Sequence, residues 1–346
     1  MKRMNRRGWM AAAAAASAML LGAAWWLSLH RSPTPTAIPA GVTRRLAQQR
    51  NEVANSVYGT APVTNLVSAL AGAGGGPEVQ AMFQSLALRK AEALPVVKER
   101  LRTGAMFEKF MLTKFLQSCP WPETLPELLA LARDKTQYWL PRQGALYALA
   151  ALGDKVAGPG VAEILHEPDC PQGVQLVALA ALARMNYREA ADAIRPFTQN
   201  DDIHLRLFAV RALAEWGEPV DHALLTTALQ GDDYIARQEA CEVLAVTTDS
   251  PELLKRLSRD DPHEAVRDAA NRALLVRQLR GETAEAKVAT LRNALPLAEP
   301  HTATWIVRTM LEQGGAQGRA AVEELATRDD RLGERSRSYL ILASDK

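Results

Sequence analysis

One pattern recurs along the chain and limits what it can fold into. An Arg or Gln is followed three residues later by Ala and seven residues later by Leu. It reads Arg142/Ala145/Leu149, Gln175/Ala178/Leu182, Arg206/Ala209/Leu213, Arg237/Ala240/Leu244 and Arg267/Ala270/Leu274. The leading positions are spaced by 33, 31, 31 and 30 residues. Looser copies stand at Lys109/Leu112/Leu116, Ala303/Ile306/Met310 and Arg335/Ser338/Leu342. About eight units therefore run from roughly residue 77 to the C-terminus. A fixed period of this length marks an array of small supersecondary units, none of which can bury its apolar faces alone.

Each unit reads as two helices. The second carries the pattern, whose positions 0, +3, +4 and +7 share one face of a 3.6-residue helix. The +4 residues are Leu146, Leu179, Val210, Cys241 and Asn271, of which only the last is polar. The first helix is a short amphipathic run, as in 125–131, 222–229 and 251–257. Gly153, Gly217 and Gly281 stand where a left-handed residue stops a second helix. Composition agrees. The apolar fraction is 48% with only 5% aromatic residues, so Ala and Leu dominate, and both favour helices over sheets.

Acidic pairs recur in phase with the repeat at Asp201-Asp202, Asp232-Asp233, Asp260-Asp261 and Asp329-Asp330. Paired carboxylates can serve acid–base or metal chemistry. Recurrence in unit after unit points instead to a shared structural need, and each pair precedes a second helix, where Asp is a strong N-cap.

These features, above all 201–214 and 261–274, resemble the HEAT-repeat family, in particular the short bacterial units of about 30 residues. The resemblance implies an all-α solenoid of about eight helix pairs. It also implies a ladder between repeats in which turn Asp residues meet second-helix Arg residues. That role falls on Asp202, Asp233 and Asp261 with Arg206, Arg237 and Arg267. Gln175 departs from the pattern.

The N-terminus sets the expected compartment. Lys2, Arg3, Arg6 and Arg7 precede an uncharged run from Trp9 to Leu29. Twenty-one helical residues span roughly 30 Å, the thickness of a bilayer core. Trp9 marks one end and Trp25-Trp26 the other, as at membrane interfaces. The charge bias keeps the N-terminus in the cytoplasm and exports the rest. A cleaved signal peptide is the competing reading, with small residues at 22–24, and Arg6-Arg7 resembles a loose twin-arginine signal. The expected organisation is a basic segment 1–8, an anchor 9–29, a Pro- and Gly-containing linker 30–76, and a solenoid 77–346. The location is the bacterial inner membrane, with the solenoid in the periplasm.

Chemistry is sparse. No nucleophile elbow, phosphate-binding loop or zinc-protease motif occurs. Cys119, Cys170 and Cys241 lie far apart. His166-Glu167 and His263-Glu264 are the metal-ligand candidates, since HEAT-like iron hydroxylases use His-Glu pairs. That family needs four pairs in equivalent positions. The two present here are out of phase, one ending a first helix and one beginning a second. No cofactor is implied. A net charge of +2 gives no basic excess for nucleic acid. What remains is a surface. The +5 row of the second helices holds Tyr147, Arg211, Glu242 and Arg272. It is read as a site for a protein partner, with a salt-bridge ladder between repeats as the alternative. The sequence thus describes a membrane-anchored, non-catalytic scaffold. A HEAT-type metal enzyme or ligand-binding protein using the His-Glu pairs is the second reading.

Overall fold

The computed structural model describes residues 40–73, 76–247 and 251–343. The basic segment and the anchor expected at 9–29 lie outside them. Among the described residues no helix is long and apolar enough to cross a membrane.

The described chain is helical. Four helices come first: α1 (Ala40–Asn55), α2 (Val57–Thr60), α3 (Val63–Leu70) and α4 (Pro77–Leu88). Eight pairs follow. They are α5 (Lys90–Thr103) with α6 (Met106–Ser118), α7 (Leu125–Arg133) with α8 (Trp139–Leu152), and α9 (Gly158–Leu165) with α10 (Gln172–Arg184). Next come α11 (Ala191–Ile194) with α12 (Ile203–Glu215), α13 (His222–Gln230) with α14 (Tyr234–Val246), and α15 (Pro251–Asp260) with α16 (Glu264–Leu279). The last are α17 (Ala284–Ala294) with α18 (Pro300–Gln313), and α19 (Gly315–Leu325) with α20 (Arg331–Leu342). The expected number of pairs is met. One first helix is cut short: after α11 the chain continues as a 3-10 turn, Arg195–Gln199. Pro196 supplies no N–H there and disfavours an unbroken α-helix.

The periodic positions behave as the pattern requires. Ala145, Ala178, Ala209, Ala240 and Ala270 are fully buried, as are Leu146, Leu179 and Cys241 at +4, while Asn271 is exposed. Second helices from α6 to α16 pack in succession, and the first helices α5, α7, α9 and α11 stack likewise. Small residues set the approach. A Cβ on Gly144 of α8 would stand 2.1 Å from the Thr113 hydroxyl of α6. Gly153 has φ +67 and ends α8, as expected of a left-handed stop.

The segment before the repeats differs from the tether expected at 30–76. Val63, Leu66, Val67 and Leu70 are buried in the core, and α3 packs on α4, α5 and α6. The reason is legible afterwards: those four residues place one apolar stripe along α3. Moreover α1 and α4 both pack against α20, the last helix of the array. The solenoid therefore closes on itself. Gln84 Nε2 on α4 donates to Ser338 Oγ on α20 at 2.8 Å, across 254 residues of sequence.

The core divides in two. One cluster runs from Val63 to Leu213 and takes in Leu342. The second runs from Leu207 to Ile341, with Leu88 packed against it. Both contribute residues on α12 and both reach α20.

Candidate functional site

The leading Arg of the repeat has a defined task. In α8, Arg142 Nε donates to the Ala132 carbonyl at the end of its own first helix, 2.8 Å away. Its Nη2 meets Glu167 in the next unit at 2.7 Å, with both side chains buried. In α14, Arg237 Nη1 donates to the Gly231 carbonyl at 2.8 Å, and its Nε meets Asp261 of the next unit at 2.9 Å. One guanidinium thus satisfies an orphan helix-end carbonyl and ties two units together.

The ladder implied by family resemblance is therefore formed at Arg237–Asp261. It is not formed at the other expected rungs. Arg206 makes no ion pair among the described residues, and Arg267 Nη1 donates to the Asp261 and Pro262 carbonyls at 2.8 and 3.2 Å. Asp202 and Asp233 serve as N-caps. Asp202 accepts from the His204 and Leu205 amides, and Asp233 from those of Ile235 and Ala236. The 260–261 pair differs, because His263 caps α16 through Nδ1 while Asp261 is held by Arg237.

In place of an Arg206 rung stands His204. Its Nδ1 lies 2.9 Å from Glu239 Oε2, and its Nε2 lies 3.1 Å from Asp233 Oδ2. Burial opposes the charge on the ring. The hydrogen bond to Glu239 and the charges of Glu239, Asp233 and Asp202 outweigh it and raise the imidazole to about 9. Burial pushes the Glu239 carboxyl up to about 6, against the pull of His204.

The His-Glu pairs are used structurally. Glu167 is the partner of Arg142, and the His263 ring stacks on Tyr234 at 3.7 Å between centroids. His166 is the C-cap of α9 and Glu264 is exposed. No group of three or more His, Cys, Asp or Glu among the described residues is arranged to hold a metal ion. Burial raises both the Cys241 thiol and, to about 11, the Cys170 thiol, which disfavours the nucleophilic thiolate.

The +5 row faces inward and is closed off. Arg211, Glu242 and Arg272 are only 5%, 4% and 6% exposed. Arg211 meets Glu242 at 3.3 Å and Glu215 at 3.7 Å, and Arg272 meets Glu242 at 3.3 Å. Arg272 also pairs with Asp268, which accepts from Thr302 Oγ1 at 2.5 Å. One chain of alternating charge thus crosses α12, α14 and α16, and the Thr302 hydroxyl ties it to α18. Tyr147, the fourth member of the row, is half-buried against the first core cluster, and burial raises its phenol. The row expected to meet a partner is, for its three charged members, the ladder. Further in, Arg184 donates through Nε to the Ala150 carbonyl at 2.6 Å. Burial lowers it to about 10, and it feels both Glu312 and Arg308 of α18. Charges on helices four units apart, α10 and α18, therefore act on one another.

Exposed apolar side chains stand elsewhere. Phe107 and Tyr138, 54% and 56% exposed, lie at the starts of α6 and α8, with Met106 beside Phe107. Because α6 and α8 pack side by side, these residues share one rim of the ring. Their signal in the sequence was weak: single aromatics just before or within a first helical turn.

Residues 158–245 match the family model described as HEAT repeats. The matched segment takes in the pairs from α9 to α14, and helix pairs continue on both sides of it. No curated protein sequence matches it. Among solved structures it is similar to the complex of CpcE and CpcF of phycocyanin lyase from Nostoc sp., at 17% identity and a TM-score of 0.48. That overlap covers 75% of this chain and 98% of the other. It is also similar to human deoxyhypusine hydroxylase in complex with glycerol, at 17% identity and a TM-score of 0.30, over 72% of this chain and 96% of the other.

Proposed function

We propose that this is a membrane-anchored, non-catalytic adaptor, exported to the bacterial periplasm, that binds a protein partner through the rim of its HEAT array. One observation carries the choice of surface. The inner charged row is consumed by its own ion pairs, whereas Phe107 and Tyr138 are exposed on consecutive pairs. Aromatic side chains supply large contact area at low entropic cost and recur as anchors of protein interfaces. The charge run and apolar span at 1–29 support the anchor and the export. The near-neutral net charge is in keeping with a protein partner rather than nucleic acid.

The test is site-specific photocrosslinking in intact membranes, with the crosslinker at Phe107, Tyr138, Tyr147 and the exposed control Val156. Discrete protein adducts from 107 and 138, absent at 147 and 156, are expected. Adducts at 147 or 156 with none at the rim overturn the proposal. Protease added to spheroplasts should digest the repeats, and their protection would place them in the cytoplasm.

A further inference from the structure

The turns between first and second helices run side by side along one rim, and each is tied to the next. Lys109 Nζ donates to Gln137 Oε1 at 3.2 Å, and Arg142 meets Glu167. Gln172 Nε2 donates to Asp202 Oδ2 at 2.5 Å, His204 Nε2 meets Asp233 at 3.1 Å, and Tyr234 stacks on His263. Six consecutive units, from α6 to α16, therefore present their turns in one row.

The row has two parts of unlike chemistry. In the first two units it exposes Phe107 and Tyr138. In the next four it exposes Asp169, Asp201, Asp232 and Asp260, one per unit. None of these four carboxylates has a hydrogen-bond or ion-pair partner among the described residues. The acidic pairs thus split their duties. At 201–202, 232–233 and 260–261 the second Asp is held by a cap or an arginine, and structure accounts for that one alone. The first is a spare charge. No Lys or Arg stands in the turns 166–171, 200–203, 231–233 or 260–264 to neutralise it. Arg259 ends α15 beside the last of the four and forms no ion pair among the described residues. The chain as a whole carries a formal charge of +2, so the strip is opposite in sign to the molecule. Like charges in a row, unneutralised from within, attract a cationic partner from outside.

Spacing fixes the shape of that partner. Packed helices lie about 8–10 Å apart. Three residues of extended chain cover about 10 Å. We propose that the rim receives an extended segment of a partner protein, with apolar side chains at one end against Phe107 and Tyr138 and Lys or Arg at every third position along Asp169, Asp201, Asp232 and Asp260. The inference rests on the rim being the partner surface, and adds what the partner must carry. The aromatic end supplies affinity, and the acidic strip supplies direction, register and speed of encounter. The same strip repels anionic lipid and nucleic acid.

Fluorescence anisotropy of the full chain in detergent micelles tests it. The probes are a labelled synthetic peptide of Trp-Leu followed by four Lys-Ser-Thr triplets, and the same peptide in reverse order. One of the two orders is expected to bind, about tenfold more tightly than a peptide of equal composition with its lysines adjacent. Asp201→Asn/Asp232→Asn, which leaves the caps at 202 and 233 in place, should weaken that binding about fivefold and flatten its salt dependence. Phe107→Ala/Tyr138→Ala should weaken it about tenfold. Loss with the aromatic pair and none with the aspartate pair overturns the basic segment and leaves the rim as the partner surface. Loss with the aspartate pair alone removes the aromatic anchors and overturns both. Equal binding of the clustered peptide, or no binding of either order, overturns the inference, while crosslinking from 107 and 138 reports on the rim separately. Ca²⁺ binding that the aspartate pair abolishes, or a dimer of the free protein that it dissolves, also overturns it, because a metal ion or a second copy is then the occupant.

Discussion

The inner charged row and the closing junction are both polar and both buried, yet they are built oppositely. In the row, Glu242 stands between Arg211 and Arg272, and Arg272 stands between Glu242 and Asp268. Arg211, Glu242 and Arg272 each have an opposite charge in an adjacent unit, and Asp268 has the Thr302 hydroxyl there. At the junction one neutral hydrogen bond, Gln84 to Ser338, stands among apolar contacts: Leu342 of α20 joins the cluster of Met82, Phe83 and Leu86, and Leu88 of α4 packs against that of Leu340 and Ile341. Burial of polar groups is therefore not one effect. An ion-pair chain fixes the register of three successive second helices, because any slip strands a charge away from water. A lone neutral hydrogen bond among apolar contacts contributes little to register by itself.

The contrast is broken most sharply at Glu242. Glu242→Leu leaves two buried guanidiniums facing each other's charge without the carboxylate, and should cost about 3–5 kcal/mol. Urea unfolding of the detergent-solubilised protein measures it. A change below about 1 kcal/mol would show the row to be solvated instead.

A second test uses pH at the neighbouring rung. His204 has its ordinary value of 6.5 raised to about 9 in the folded protein. The folded state thus binds more protons than the unfolded one between those values. Its contribution is fully present below pH 6.5 and is lost as pH rises through 9. Stability should fall by on the order of 1–3 kcal/mol across that window. His204→Gln should flatten the slope, and an unchanged slope in the variant assigns it elsewhere.

At the junction the effect is smaller. The variant Gln84→Met/Ser338→Ala removes one neutral hydrogen bond and should change stability by no more than about 1 kcal/mol. A loss as large as that at Glu242 in the same unfolding experiment would mean that the junction is as tightly specified as the row. Smallest of all, Phe107→Ala on the exposed rim should shift stability by no more than about 0.5 kcal/mol. Crosslinking from Tyr138 should nevertheless fall in that variant if the rim is the partner surface.

Much of the fold was legible in the sequence because the repeat is periodic. The second helices, their Ala and Leu faces, the Asp caps at 202 and 233 and the glycine stop at 153 all follow from local spacing. The closed ring was not legible. It depends on α4 meeting α20, and no local pattern near residue 84 points to residue 338. The helices at 40–70 were obscured by the Pro and Gly on either side of them. Among the site residues, Glu167 was weighed as a metal ligand because it follows a His. Its distance along the chain from Arg142 is 25 residues, against 24 from Arg237 to Asp261. That match was the signal for its role in the ladder. The +5 row was read as a partner site because in a single unit it points away from the 0/+3/+4/+7 face. Whether that face is open depends on how tightly the array curves, which a single unit does not encode.

The closed ring is the claim on which the buried row, the closing junction and the outward-facing partner surface all depend. Electron–electron double resonance between spin labels at Glu78→Cys on α4 and Glu334→Cys on α20, in a Cys170→Ser background, measures it directly. Packed helices have axes about 8–10 Å apart. The account predicts one dominant, narrow, short distance consistent with that packing plus the label arms. A broad distribution dominated by long distances, as in an open superhelix with its ends apart, would contradict it.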